Sequence, residues 1–127
     1  MKSYTDIEQS KELTNILSIE SADGFYEAQL NPTTDKWEYI LFTGNKWASE
    51  EVVIPCWSLA ALLDVLPQKY YPIKDHETNL ILGKPKDKWC VLYWDATGMQ
   101  DGEQTLGDSP IDACVEMIYK LKEKDLI

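Results

Sequence analysis

The sequence predicts a single small α+β domain spanning residues 1–127, with a mostly antiparallel sheet of three to five strands packed against two to three helices. Three stretches carry this expectation. Ile54 to Pro67, IPCWSLAALLDVLP, is the most apolar window of the chain, and in it Leu59, Leu62, Leu63 and Leu66 recur along one helix face. Asn79–Gly83 and Trp89–Asp95 are strand-like runs joined by the polar loop Lys84–Lys88, a length suited to a hairpin. Ser109, Pro110 and Asp112 form a helix start, followed by an apolar stripe of Ile111, Cys114, Val115, Ile118 and Leu121.

In chain order, Thr5-Asp6-Ile7-Glu8 fits a capping box, with a hydroxyl at the N-cap and an acid three residues on. It opens a first helix expected to run to about Leu17, broken by Ser21–Gly24. Phe25–Leu30 reads as a short strand, Asn31–Asp35 as a turn, and Lys36–Thr43 as a strand. In that strand Trp37, Tyr39 and Leu41 lie on one side, and Glu38, Ile40 and Phe42 on the other. Gly44-Asn45-Lys46 turns the chain, and Val52 and Val53 suit a short extended piece. Ser58 then caps the leucine helix, and Pro67 ends it. Burying its four leucines contributes about 1.5–3 kcal/mol each, which marks this stretch as core.

Tyr70-Tyr71-Pro72 is extended or turned, because a residue before proline avoids the helical region. Both faces of Trp89–Asp95 are apolar, as in a central strand covered on two sides. Thr97–Gly107 is acidic and glycine-containing, with room for one short strand near Gln104–Leu106. In the last helix Glu116 and Lys120 are spaced as an i, i+4 pair.

Composition excludes several functions. The net charge of −10 comes from 22 acids against 12 basic residues, all of them lysine. The lack of arginine, the usual bidentate reader of phosphate and guanine, and the acidic balance argue against direct nucleic-acid binding. The least acidic stretch is residues 58–88, through Lys69, Lys74, Lys84, Lys86 and Lys88, which read as a solvated rim. No apolar run is long enough to span a membrane, and the opening MKSYTDIEQSKEL lacks the apolar core of a secretory signal. Cys56, Cys90 and Cys114 are odd in number and sit in apolar contexts, as reduced core thiols of a cytoplasmic protein do.

The search for chemistry assigns no catalytic, cofactor-binding or metal-ligating residue. His76 is the only histidine, Ser58 lies outside any nucleophile elbow, and no glycine-rich loop matches a phosphate-binding pattern. Asp95, Asp101, Glu103 and Asp108 are the one place where oxygen ligands cluster along the chain, but their spacing departs from a calcium loop. The 14 aromatic residues are the other candidate. Trp37, Tyr39, Trp89, Tyr93 and Trp94 fall on expected strands and either fill the core or form an interaction surface for a protein partner.

The pattern P-x-W-S-L-x-x-L-L-x-x-L-P at Pro55–Pro67, W-x-V-x-Y at Trp89–Tyr93 and P-x-D-A-x-x-E-M-x-x-x-L at Pro110–Leu121, with the opening Thr5–Lys11, resembles small uncharacterised cytosolic proteins of Bacteroides-type bacteria, their prophages and conjugative elements. These motifs are caps, leucines and a tryptophan strand. The resemblance therefore implies an accessory protein of phage or mobile-element origin and transfers no functional residue.

Three functions are expected in order: a non-enzymatic interaction protein, self-associating or bound to another protein; an acidic inhibitor that mimics nucleic acid; and a small enzyme or ion-binding protein using the acidic 95–108 loop. The second requires the acids of residues 1–27 and 95–116 to share one face. The third requires His76 within reach of the loop carboxylates.

Overall fold

The structure is a computed structural model. It describes residues 2–44, 53–73, 76–95 and 103–127, with side chains described except at 70–73, 76–77 and 95. The fold is α+β, and every described strand pair is antiparallel. In order along the chain come α1 (Ile7–Leu13), β1 (Gly24–Asn31), β2 (Lys36–Thr43), β3 (Val53–Cys56), α2 (Leu59–Val65), β4 (Lys69–Ile73), β5 (His76–Gly83), β6 (Trp89–Asp95), β7 (Gln104–Gly107) and α3 (Pro110–Glu123). The strands divide between two sheets, one of order β2-β1-β3 and one of order β4-β5-β6-β7.

Helix α1 starts one residue later than the capping pattern suggests. Asp6 is the N-cap, its side chain accepting from the Gln9 N–H while the Gln9 side chain returns a bond to the Asp6 N–H. Thr5 is recruited elsewhere: it is fully buried, its hydroxyl lies 2.7 Å from Ser10 Oγ, and it accepts from the Trp57 N–H at 3.1 Å. The helix closes at Leu13, well short of Leu17, and a single 3-10 turn at Ile19–Ser21 leads into β1. The other two starts are as the sequence indicates. Ser58 caps α2 by accepting from Ala61 N–H, and Ser109 caps α3 by accepting from Asp112 N–H behind Pro110.

The core lies between the helices and one face of the second sheet. From α3 it takes Ile111, Ala113, Cys114, Val115, Met117, Ile118 and Leu121, from α2 Leu62 with Leu66 just beyond it, and from β6 Val91 and Tyr93. Leu59 and Leu63 are only partly buried against it, so two of the four leucines carry most of the α2 contact. Ile54–Cys56, the opening of the apolar window, belongs with Val53 to strand β3, ahead of the Ser58 cap, and Val52 lies outside the described residues. The Glu116–Lys120 pairing gives way to a longer-range one, in which Lys120 and Lys124 both reach the Glu103 carboxylate just before β7.

Among the described residues the first sheet joins this body at the end where β3 leads into α2. Tyr4 forms a bridge to Ser58, and the Thr5 N–H donates to the Trp57 carbonyl at 2.9 Å. Among the described residues strand β3 pairs with Gly24–Glu27 of β1. Beyond Glu27 the first sheet is a two-stranded ribbon among the described residues, formed by the β1–β2 hairpin.

Candidate interaction surface

Side chains of the hairpin separate by register. Directly opposed pairs in an antiparallel ladder point to the same side. One face therefore carries Tyr26 beside Leu41, Ala28 beside Tyr39, and Leu30 beside Trp37. The other carries Phe25 beside Phe42, Glu27 beside Ile40, and Gln29 beside Glu38. The second face is satisfied in part: the Phe25 and Phe42 rings stack at 5.3 Å, Gln29 donates to Glu27, and Asn31 donates to Glu38, while Ile40 stays exposed. The first face is anchored at its near end, where the Tyr26 hydroxyl donates to the Thr5 carbonyl at 2.7 Å. Its far end is open. Trp37 is 71 % exposed, Leu30 48 % and Tyr39 42 %.

The turn holding this far end is built locally. Asn31 accepts the Asp35 N–H at 2.8 Å on its carbonyl and the Thr33 N–H at 2.9 Å on its side chain. Asp35 closes the turn at φ 56°, a left-handed conformation that aspartate tolerates better than most residues.

In the second sheet Trp89, Val91 and Tyr93 point toward α3, with Leu80 and Leu82 on the same side. The interaction surface expected from the five strand aromatics is therefore corrected at two positions. Tyr93 is completely buried and belongs to the core, and Trp89 packs half-buried against that core with the Lys84 ammonium 5.8 Å from its ring. The cause is the choice of face: α3 covers the odd-numbered residues of β6. Trp94, on the even-numbered side, is partly exposed, as is Ile81 diagonally across from it on β5; at the other end of the same row Leu106 is exposed opposite Cys90, which is itself buried. Trp37, Tyr39 and Trp94 thus reach solvent on two different sheets. Leu30 completes the Trp37 cluster; the sequence leaves it in a strand with no companion, and its partner emerges only from the hairpin register.

The chemistry-bearing groups are engaged in structure. Burial pushes the Cys56 and Cys114 thiols up to about 12, far from the thiolate that a nucleophile needs. Asp23 accepts from both the Ser58 N–H and the Ser58 hydroxyl at the start of α2. Lys2 pairs with Asp6 at 3.1 Å and with Asp112 at 2.8 Å, and Lys88 pairs with Asp108. The Asp112 carboxyl tends upward through partial burial, but bonds from Lys2, Gln9 and Ser109 outweigh this and hold it below its ordinary value. Among the described residues no three His, Cys, Asp or Glu side chains gather as a metal site. Asp101 and the side chains of His76 and Asp95 lie outside the described residues. No helix is long and apolar enough to cross a membrane.

Comparison of the chain with protein-family models, with curated proteins and with solved structures finds no match.

Proposed function

We propose that this chain is a non-enzymatic interaction protein, an accessory factor of phage or mobile-element origin, and that the β1–β2 hairpin is where it meets its protein partner. The observation that carries this reading is the exposed apolar face of Leu30, Trp37 and Tyr39 on a ribbon that is two-stranded among the described residues. A lone two-stranded ribbon is marginal in water. A large exposed tryptophan at its tip gains most when a partner covers it, since tryptophan and tyrosine supply much of the binding energy at interfaces.

The same pairings weigh against the nucleic-acid mimic. Asp6, Glu103, Asp108 and Asp112 each face a lysine, which offsets their share of the field that a phosphate-like surface depends on. Glu103, a member of the acidic group, is committed to Lys120 and Lys124, which weighs against a catalytic role for this carboxylate.

The test is a paired capture experiment with immobilised wild type and a Trp37→Ala/Leu41→Asp variant of unchanged circular dichroism. A protein retained by wild type and lost by the variant supports the reading. Equal retention by both, or no retention by a wild type that is itself strictly monomeric, refutes it.

A further inference from the structure

We infer that the partner of the hairpin is a second copy of this chain, joined through antiparallel pairing of β2 with β2 of the other copy into one continuous six-stranded sheet. This rests on the hairpin being the contact element and names what it contacts. The argument starts from the edges. A sheet edge is a row of unpaired N–H and C=O groups, and folded proteins usually blunt it with proline, irregularity or shortness. Three of the four described edges are blunted: β3 contains Pro55, β4 contains Pro72 and an irregular register between Tyr70 and Ile73, and β7 is four residues long. Strand β2 has none of these devices. It runs eight residues without proline, and its pairing to β1 is unbroken.

Among the described residues no strand pairs with that outer edge, and the groups it presents can be named. The Gly44 N–H donates to the Asp23 carbonyl at 2.8 Å, continuing the β1–β2 ladder by one pair. Antiparallel ladders alternate, so Phe42, Ile40, Glu38 and Lys36 also turn their main-chain groups toward β1. Trp37, Tyr39, Leu41 and Thr43 turn theirs outward. A two-fold axis at Ile40 matches these outward residues as Trp37 with Thr43 of the partner subunit and Tyr39 with Leu41 of the partner subunit, satisfying about eight main-chain bonds. It also places the exposed Tyr39 side chain against an exposed leucine, and Ile40 against its own copy.

Charge permits this contact where it resists others. Two chains of net charge −10 repel, but β2 carries one lysine and one glutamate and is neutral. In the Ile40-centred register the two Glu38 side chains are offset by four residues, about 13 Å along the strands. That exceeds the screening length of about 8 Å at physiological salt.

Light scattering after size exclusion, over a concentration series, measures the mass of wild type, Ile40→Lys and Ile40→Cys. Wild type is expected to be dimeric. Ile40→Lys sets two ammonium groups opposite each other and is expected to weaken the dimer at least tenfold. Ile40→Cys is expected to yield a disulfide-linked dimer under mild oxidation, mapped to that cysteine by mass spectrometry. A wild type that is monomeric at every concentration overturns the inference, and if it still captures another protein through Trp37 the interaction reading survives alone. A dimer untouched by Ile40→Lys and not cross-linked through Ile40→Cys also overturns it.

Discussion

The Tyr93 hydroxyl donates to the Pro67 carbonyl at 2.6 Å, tying the middle of the second sheet to the residue that ends the leucine helix. Tyr93 is fully buried, and burial raises its hydroxyl well above the ordinary tyrosine value, so it remains a protonated donor at any physiological pH. Tyr93→Phe keeps the ring and removes this bond, and is expected to lower stability by about 1 kcal/mol. Tyr93→Ala empties the site and is expected to cost about 3–5 kcal/mol. Equilibrium urea unfolding measures both, with an unchanged slope for the first variant. If both variants fall within about 0.5 kcal/mol of wild type, Tyr93 is not a core residue.

The fate of Tyr93 also shows how far the sequence could be read. Local signals located α3, the limits of β2, the Lys84–Lys88 hairpin and the Ser58 and Ser109 caps, because a cap or a turn is made by residues near one another in the chain. Alternation separated Trp89, Val91 and Tyr93 from Cys90, Leu92 and Trp94. It could not say which row α3 would cover, since both are apolar. In β2 the reverse holds: Trp37, Tyr39 and Leu41 have the pattern of a buried face, yet no described helix lies over them. Thr5 and Asp6 are equally good caps by type, with Glu8 and Gln9 placed to complete the box for each. The tie is broken by Trp57, whose N–H claims the Thr5 hydroxyl from 52 positions away. The division into two sheets is non-local in the same way, since it follows from β3 pairing with β1 rather than joining the strands that come after it.

Two glycines separate close packing from open space. A Cβ on Gly107 would meet the Ala113 nitrogen at 2.5 Å and the Asp112 Cβ at 2.8 Å, where β7 passes the first turn of α3. That obstacle includes backbone, so it cannot swing aside. Gly107→Ala is expected to destabilise by about 1–3 kcal/mol through overpacking. A Cβ on Gly83 meets nothing within 4 Å, and Gly83→Ala is expected to be neutral or slightly stabilising. Thermal unfolding of the two variants side by side checks this, and equal melting temperatures would contradict it.

Acid should loosen the same region. The bond from Lys124, with a further one from Lys120 at 3.3 Å, holds the Glu103 carboxyl below its ordinary 4.5 despite partial burial. A carboxyl with a lower pKa in the folded chain than in the unfolded one binds its proton first in the unfolded state. Its stabilisation is complete above about 4.5 and is lost as pH falls through the lower folded value. Stability is therefore expected to decline below about pH 4.5, with Asp112 adding to the decline from its own lowered value. Glu103→Gln is expected to cost ~0.5–1 kcal/mol at neutral pH and to make the acid decline shallower. Urea midpoints between about pH 3 and pH 7 give both slopes, and parallel slopes would show that this carboxylate has no part in the acid response.

Two tryptophans test the distinction between core and surface most directly. Trp57 is wholly buried, and its indole N–H donates to Ser21 Oγ at 2.9 Å. Trp37 is the most exposed of the large apolar side chains among the described residues. Trp57→Ala removes a packed ring and leaves a cavity at the meeting point of α1, α2 and the 3-10 turn, and is expected to cost about 3–5 kcal/mol. Trp37→Ala touches little within its own chain and is expected to shift stability by less than about 0.5 kcal/mol in dilute solution. The two responses should diverge with protein concentration. If β2 pairs with a second copy, wild-type melting temperature rises with concentration by mass action, and Trp37→Ala loses part of that rise. Trp57→Ala, lowered throughout, should keep a similar slope. A wild-type melting temperature independent of concentration would leave Trp37 as a contact for a different protein.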